Sequence, residues 1–128
     1  MSPLRSSPYV TIEYLEELRV VRFERTALPF GDVHATRAEL GRWLSALDGI
    51  DTTRFGVLLD FRRTPMTSDP DILTAVVTEV DRIALLFPRR AILLTAALLG
   101  PQSDRVTRAG AKITPFIAEA EAWSHVRS

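Results

Sequence analysis

The sequence predicts an α/β fold with a mixed, mostly parallel sheet of about five strands, in the order β-β-α-β-α-β-α-β-α. Three observations predict it. Two near-continuous apolar runs, Phe55–Phe61 and Ala91–Leu99, have the composition of strands covered on both faces. Segments with apolar residues three and four apart alternate with them, as the helices of βαβ units do. Two alternating segments at the start of the chain lie close together, so a hairpin adds an antiparallel N-terminal edge.

The elements follow in order. Residues 1–8 are rich in Ser and Pro and read as a disordered tail, leaving 9–128 as one domain. Tyr9–Leu15 alternates Val10, Ile12 and Tyr14 against polar neighbours, which predicts a strand. Glu16-Glu17 is the turn. Arg19–Arg25 is the second strand, with Val21 and Phe23 on one face and Val20, Arg22 and Glu24 on the other. Gly31-Asp32 opens a helix to Leu47 with Asp32 as N-cap. Val33, Leu40, Leu44 and Leu47 make its apolar face, with Trp43 at the margin. Phe55–Phe61 is the third strand.

Thr67-Ser68-Asp69-Pro70-Asp71 is the clearest local signal in the chain. It combines capping side chains, a proline at a first-turn position and acids that complement the helix dipole. The helix it starts carries Ile72, Leu73, Val76, Val77, Val80, Ile83, Ala84 and Phe87, and Pro88 closes it. Ala91–Leu99 is expected as the central strand, and Gly100-Pro101 breaks it. A short helix over Ser103–Ala109 follows, with Gly110 as its C-cap. Lys112–Ile117 is the last strand, placed at an edge because Pro115 cannot donate to the ladder. Ala118–Arg127 is a final helix anchored by Trp123 and Val126.

Composition excludes several function classes. The 128 residues include sixteen basic and sixteen acidic ones, so the net charge is zero. Neither a nucleic-acid surface nor a polybasic membrane anchor is expected from such a balance. Lys112 is the single lysine. There is no cysteine, which excludes disulfides, thiolate catalysis and cysteine-ligated metal, and suits a cytoplasmic setting. No signal peptide is expected, and the longest apolar run is too short to span a bilayer. His34 and His125 have no neighbouring His or Cys, so no metal or other cofactor is expected. Neither a Gly-x-Ser-x-Gly elbow nor a phosphate-binding glycine loop is present.

The order of elements over Val20 to Val126 resembles the SpoIIAA-like fold shared by STAS domains and, more remotely, by lipid-binding CRAL-TRIO domains. Val57-Leu58-Leu59-Asp60 looks like that family's central strand ending in aspartate. Thr67-Ser68-Asp69 occupies the helix start where the STAS pattern places Asp-Ser-Ser-Gly, here without the glycine. Phe116–Trp123 looks like the last strand and the acidic, alanine-containing final helix. The resemblance implies a non-enzymatic regulatory module that acts through protein contacts, with a protein partner or a second copy of the chain.

Candidate site residues follow from chemistry. Thr67 and Ser68 are candidate phosphoacceptors, because a phosphate at a helix N-terminus meets free N–H groups and Arg62 and Arg63 lie just upstream. The simpler reading makes Ser68 or Asp69 the N-cap and leaves both arginines in solvent. Asp60, Arg62, Arg63, Thr64, Thr95, Gln102 and Ser103 are expected along one rim, outside the C-terminal ends of the parallel strands, where ligands of open α/β sheets gather. Two alternatives stay open. A closed apolar pocket bounded by the Ile72–Phe87 helix would make the protein a small-ligand or lipid binder. A hydrolase would use Asp60 with Thr64 or Ser68.

Overall fold

A computed structural model describes residues 2–65, 67, 69–97 and 113–127. Its strands are β1 (Ser2–Ser6), β2 (Val10–Leu15), β3 (Val20–Arg25), β4 (Gly56–Asp60), β5 (Arg89–Leu93) and β6 (Thr114–Phe116). Its helices include α1 (Val33–Ser45), α2 (Pro70–Ala84) and α3 (Glu119–Val126). The described strands form one mixed sheet in the order β1-β2-β3-β4-β5-β6. The pairs β1–β2 and β2–β3 are antiparallel. From β3 onward every pair is parallel. The two apolar runs supply β4 and β5, which lie side by side with Leu58 opposite Ala91 and Leu59 opposite Ile92. The fold class is therefore the predicted one.

Right-handed crossovers along a monotonic strand order place successive helices on one face of a sheet. Accordingly α1 and α2 pack against each other. Beneath them Val21, Phe23, Val57, Leu59 and Ile92 join Leu40, Trp43, Val80 and Ile83 in one buried cluster. On the opposite face α3 brings Ala122 and Val126 onto Val20, Leu58, Ala91 and Leu93. Period-two alternation splits β4 between the two layers, and all five of its residues are buried. Two of the helix starts have a local cause. Asp32 caps α1 by accepting from the Ala35 N–H at 2.7 Å. Asp69 caps α2 by accepting from the Asp71 and Ile72 N–H groups, with Pro70 following at the first helical position.

Several expectations are corrected. The tail is a strand from Ser2 onward, pairing with β2 across a register shift between Pro3 and Arg5. Composition suggested fraying, but an edge tolerates Pro, and Arg5 and Ser7 both reach back to Glu39 of α1. The described sheet thus has six strands rather than about five. The Ala91–Leu99 run is not one strand and not the central one. β5 stops at Leu93, Ala96 and Ala97 are already helical, and β5 is next to last in the order. A short apolar run does not by itself separate strand from helix. The second long helix ends at Ala84, before Pro88, leaving Leu85 and Leu86 exposed. Trp43 is the centre of the α1 face, at 1% exposure, not its margin. Pro115 does lie in an edge strand. The expected helix Ser103–Ala109 and its cap Gly110 lie outside the described residues.

Candidate functional site

The parallel strands end in a cavity of about 100 Å³ on the α1/α2 face. Its walls come from five places. Phe61, Ile92 and Leu94 close the strand ends, Trp43 comes from α1, and Ile72, Leu73 and Val76 come from the first two turns of α2. The segment between β4 and α2 adds Thr64, Pro65 and Thr67, and the segment after β3 adds Pro29 and Phe30. A strand end opposite a helix N-terminus is where such a fold leaves side-chain space.

Two buried polar groups interrupt this apolar lining. Alternation along β3 carries Arg25 onto the face of Val21 and Phe23, where it is 2% exposed. Its Nη1 donates to the Tyr9 and Thr26 carbonyls at 3.0 Å each, and its Nη2 to the Leu28 carbonyl at 2.6 Å. The guanidinium lies 4.4 Å from the centroid of the Phe30 ring, which stacks on Tyr9. These partners are neutral. Among the described residues Arg25 makes no ion pair with a carboxylate. Burial pushes its pKa down to about 10, against the pull of the Glu39 carboxylate, and it stays charged at neutral pH. The second group is Thr64. Its N–H closes a turn onto the Phe61 carbonyl at 3.1 Å, but its Oγ1 is buried without a hydrogen-bond partner among the described residues.

Asp60 belongs to a different place. It shares the α3 face of β4 with Leu58 and is 4% exposed. Its Oδ2 accepts from Arg22 at 2.8 Å and from Arg62 at 2.9 Å, and its Oδ1 accepts from Arg62 Nε at 3.0 Å. Arg62 continues to Glu119 at the start of α3, and Arg22 to Glu13 and Glu24. Burial alone would raise the Asp60 pKa. The hydrogen bonds and charge of Arg62, with the charge of Arg22, outweigh it and hold the carboxyl below its ordinary range. A carboxylate kept ionised and fully paired is a tie between β3, β4 and α3 rather than a proton donor.

The expected rim therefore divides. Asp60 and Arg62 meet each other, while Thr64 lines the cavity on the other side of the sheet. Arg63 and Thr95 are exposed. Thr67 is exposed at the cavity wall, and its Oγ1 accepts from the Asp69 N–H at 3.2 Å. Ser68, Gln102 and Ser103 lie outside the described residues. His34 is exposed on α1, and His125 rests against the Phe116 ring. No cluster of His, Asp or Glu able to hold a metal occurs among the described residues. Sequence reasoning missed Arg25. The signal was present, since the face carrying Val21 and Phe23 reaches Arg25 two residues later.

Compared with protein-family models, curated proteins and solved structures, the chain has no match. Among the described residues no helix is long and apolar enough to cross a membrane.

Proposed function

We propose that the chain is a non-enzymatic binding module that takes a small, mainly apolar molecule between the parallel strand ends and α2. The cavity formed by Phe61, Ile72, Val76, Ile92 and Leu94 carries this reading. A dry, aliphatic-lined space of about 150 Å³ is enough to hold a benzene-sized guest. The present cavity, about 100 Å³, suits a ligand somewhat smaller. Trp43 lines it and reports on it. In a Trp123→Phe background, which leaves Trp43 as the only tryptophan, titration with 1-butanol is expected to change the fluorescence saturably. Val76→Phe, which fills the space, is expected to abolish the change. A response that is linear in both proteins overturns the reading.

A second reading, a SpoIIAA-like regulatory module working through protein contacts in the cytoplasm, is favoured by one observation. Thr67 is exposed directly before the Asp69 cap of α2. A phosphate there would face the positive end of the helix. β1 ends the order of the described strands, and its outer edge would offer the surface for a homodimer or a protein partner. Mass spectrometry of the protein isolated from its own cells, with its elution volume, tests this. An unmodified Thr67 together with a monomer that retains no partner removes it.

A further inference from the structure

We propose that the polar end of this cavity recognises an acid, so that the ligand is a small monocarboxylate with its tail among Ile72, Val76, Ile92 and Leu94. The inference deepens the proposed function and rests on it. A buried cation is costly unless an opposite charge accompanies it. Arg25 is 2% exposed, yet the described residues offer it carbonyl dipoles, the Thr26 hydroxyl and the Tyr9 and Phe30 rings, and no carboxylate. Glu39, the carboxylate whose charge acts on Arg25, is already occupied by Trp43, Ser7, Arg5 and Arg42. Its bonds to the described residues use Nη1, on the Tyr9 and Thr26 carbonyls and the Thr26 hydroxyl, and one donor of Nη2. A guanidinium has five N–H donors, so Nε and a second Nη2 proton have no acceptor among the described residues.

Thr64 supplies the independent observation. Its Oγ1 is buried, lines the same cavity and has no partner among the described residues. Buried hydroxyls rarely go unpaired. One carboxylate satisfies both groups, accepting from the guanidinium and from the hydroxyl, while its short hydrocarbon tail fills the apolar remainder. The cavity volume, about 100 Å³, limits the tail to a few carbons.

The test compares sodium butyrate with 1-butanol in the Trp123→Phe protein at constant ionic strength. Butyrate is expected to bind about tenfold more tightly or better, as a charge-assisted hydrogen bond in a desolvated site allows. Arg25→Met is expected to erase that preference. Thr64→Val, which removes a hydroxyl that has no partner among the described residues, is expected to leave the fold intact and to weaken butyrate several-fold. If butanol saturates and butyrate binds no better, the acid-recognition inference fails while the apolar pocket stands. If neither saturates, both fall. If Arg25→Met does not fold, the Thr64→Val result decides, and unchanged butyrate affinity there overturns the proposal.

Discussion

Glu39 shows how one side chain organises its surroundings. It is 3% exposed on α1, and it accepts from the indole N–H of Trp43 and the hydroxyl of Ser7 at 2.8 Å each, and from Arg5 at 3.1 Å. Burial would raise its pKa, but the hydrogen bonds of Trp43, Ser7 and Arg5 prevail and lower it. A carboxyl whose folded pKa lies below its unfolded value stabilises the fold above that unfolded value, about 4.3 for glutamate. The contribution is lost as pH falls through the folded pKa. Asp60 has the same sign, from about 3.9 downward. Urea midpoints are therefore expected to be flat from neutral pH to about 5 and to fall below it, with a shallower fall in Glu39→Gln. At pH 7, Glu39→Ala is expected to cost about 2–4 kcal/mol, because it strands the indole N–H and leaves Arg5 unpaired. Equal stability of variant and parent would show that the network contributes nothing.

At the scale of elements, α2 and α3 are held by different means. α2 begins on a cap readable in the sequence, where Asp69 takes two N–H groups. Asp69→Ala is expected to lower stability by about 1 kcal/mol in chemical denaturation. α3 has no side-chain cap. It is fixed instead by contact with β4, where Gly56 lies against Val126, and by Arg89, whose Nε donates to the Val126 carbonyl at 2.8 Å. A Cβ on Gly56 would strike that carbonyl and come within 2.9 Å of the Val126 Cβ. Gly56→Ala is expected to cost about 1–3 kcal/mol and to speed amide exchange across residues 119–126, with α1 unchanged. Unaltered exchange in α3 would mean that the helix shifts freely. A cap at Ser68 or Asp69 was legible from sequence because a cap is a local pattern, and the fold selects Asp69. The glycine contact was not, since Gly56 and Val126 meet only in the folded chain.

For the whole molecule, the decisive feature is a sheet whose parallel part runs in chain order, with α1 and α2 on one side and α3 on the other. β1 extends it and covers the edge of β2. Deleting residues 1–6 is expected to lower the denaturation midpoint and to promote self-association, measured by light scattering, because β2 would then present an open ladder. A monomer of full stability would show β1 to be dispensable. The amino-acid sequence by itself determined the α/β class, the alternation of strands and helices, the cap Asp32, a capped start of α2 at Ser68 or Asp69, and the edge position of Pro115. These depend on periodicity, propensity and turn chemistry within about a dozen neighbouring residues. Tertiary structure alone decided that the Ser/Pro-rich start pairs as a strand, that Asp60 and Thr64 face opposite sides of the sheet, and that Arg25 and Thr64 share one cavity. Side chains some forty residues apart are brought together by strand order and crossover direction, which no local pattern encodes.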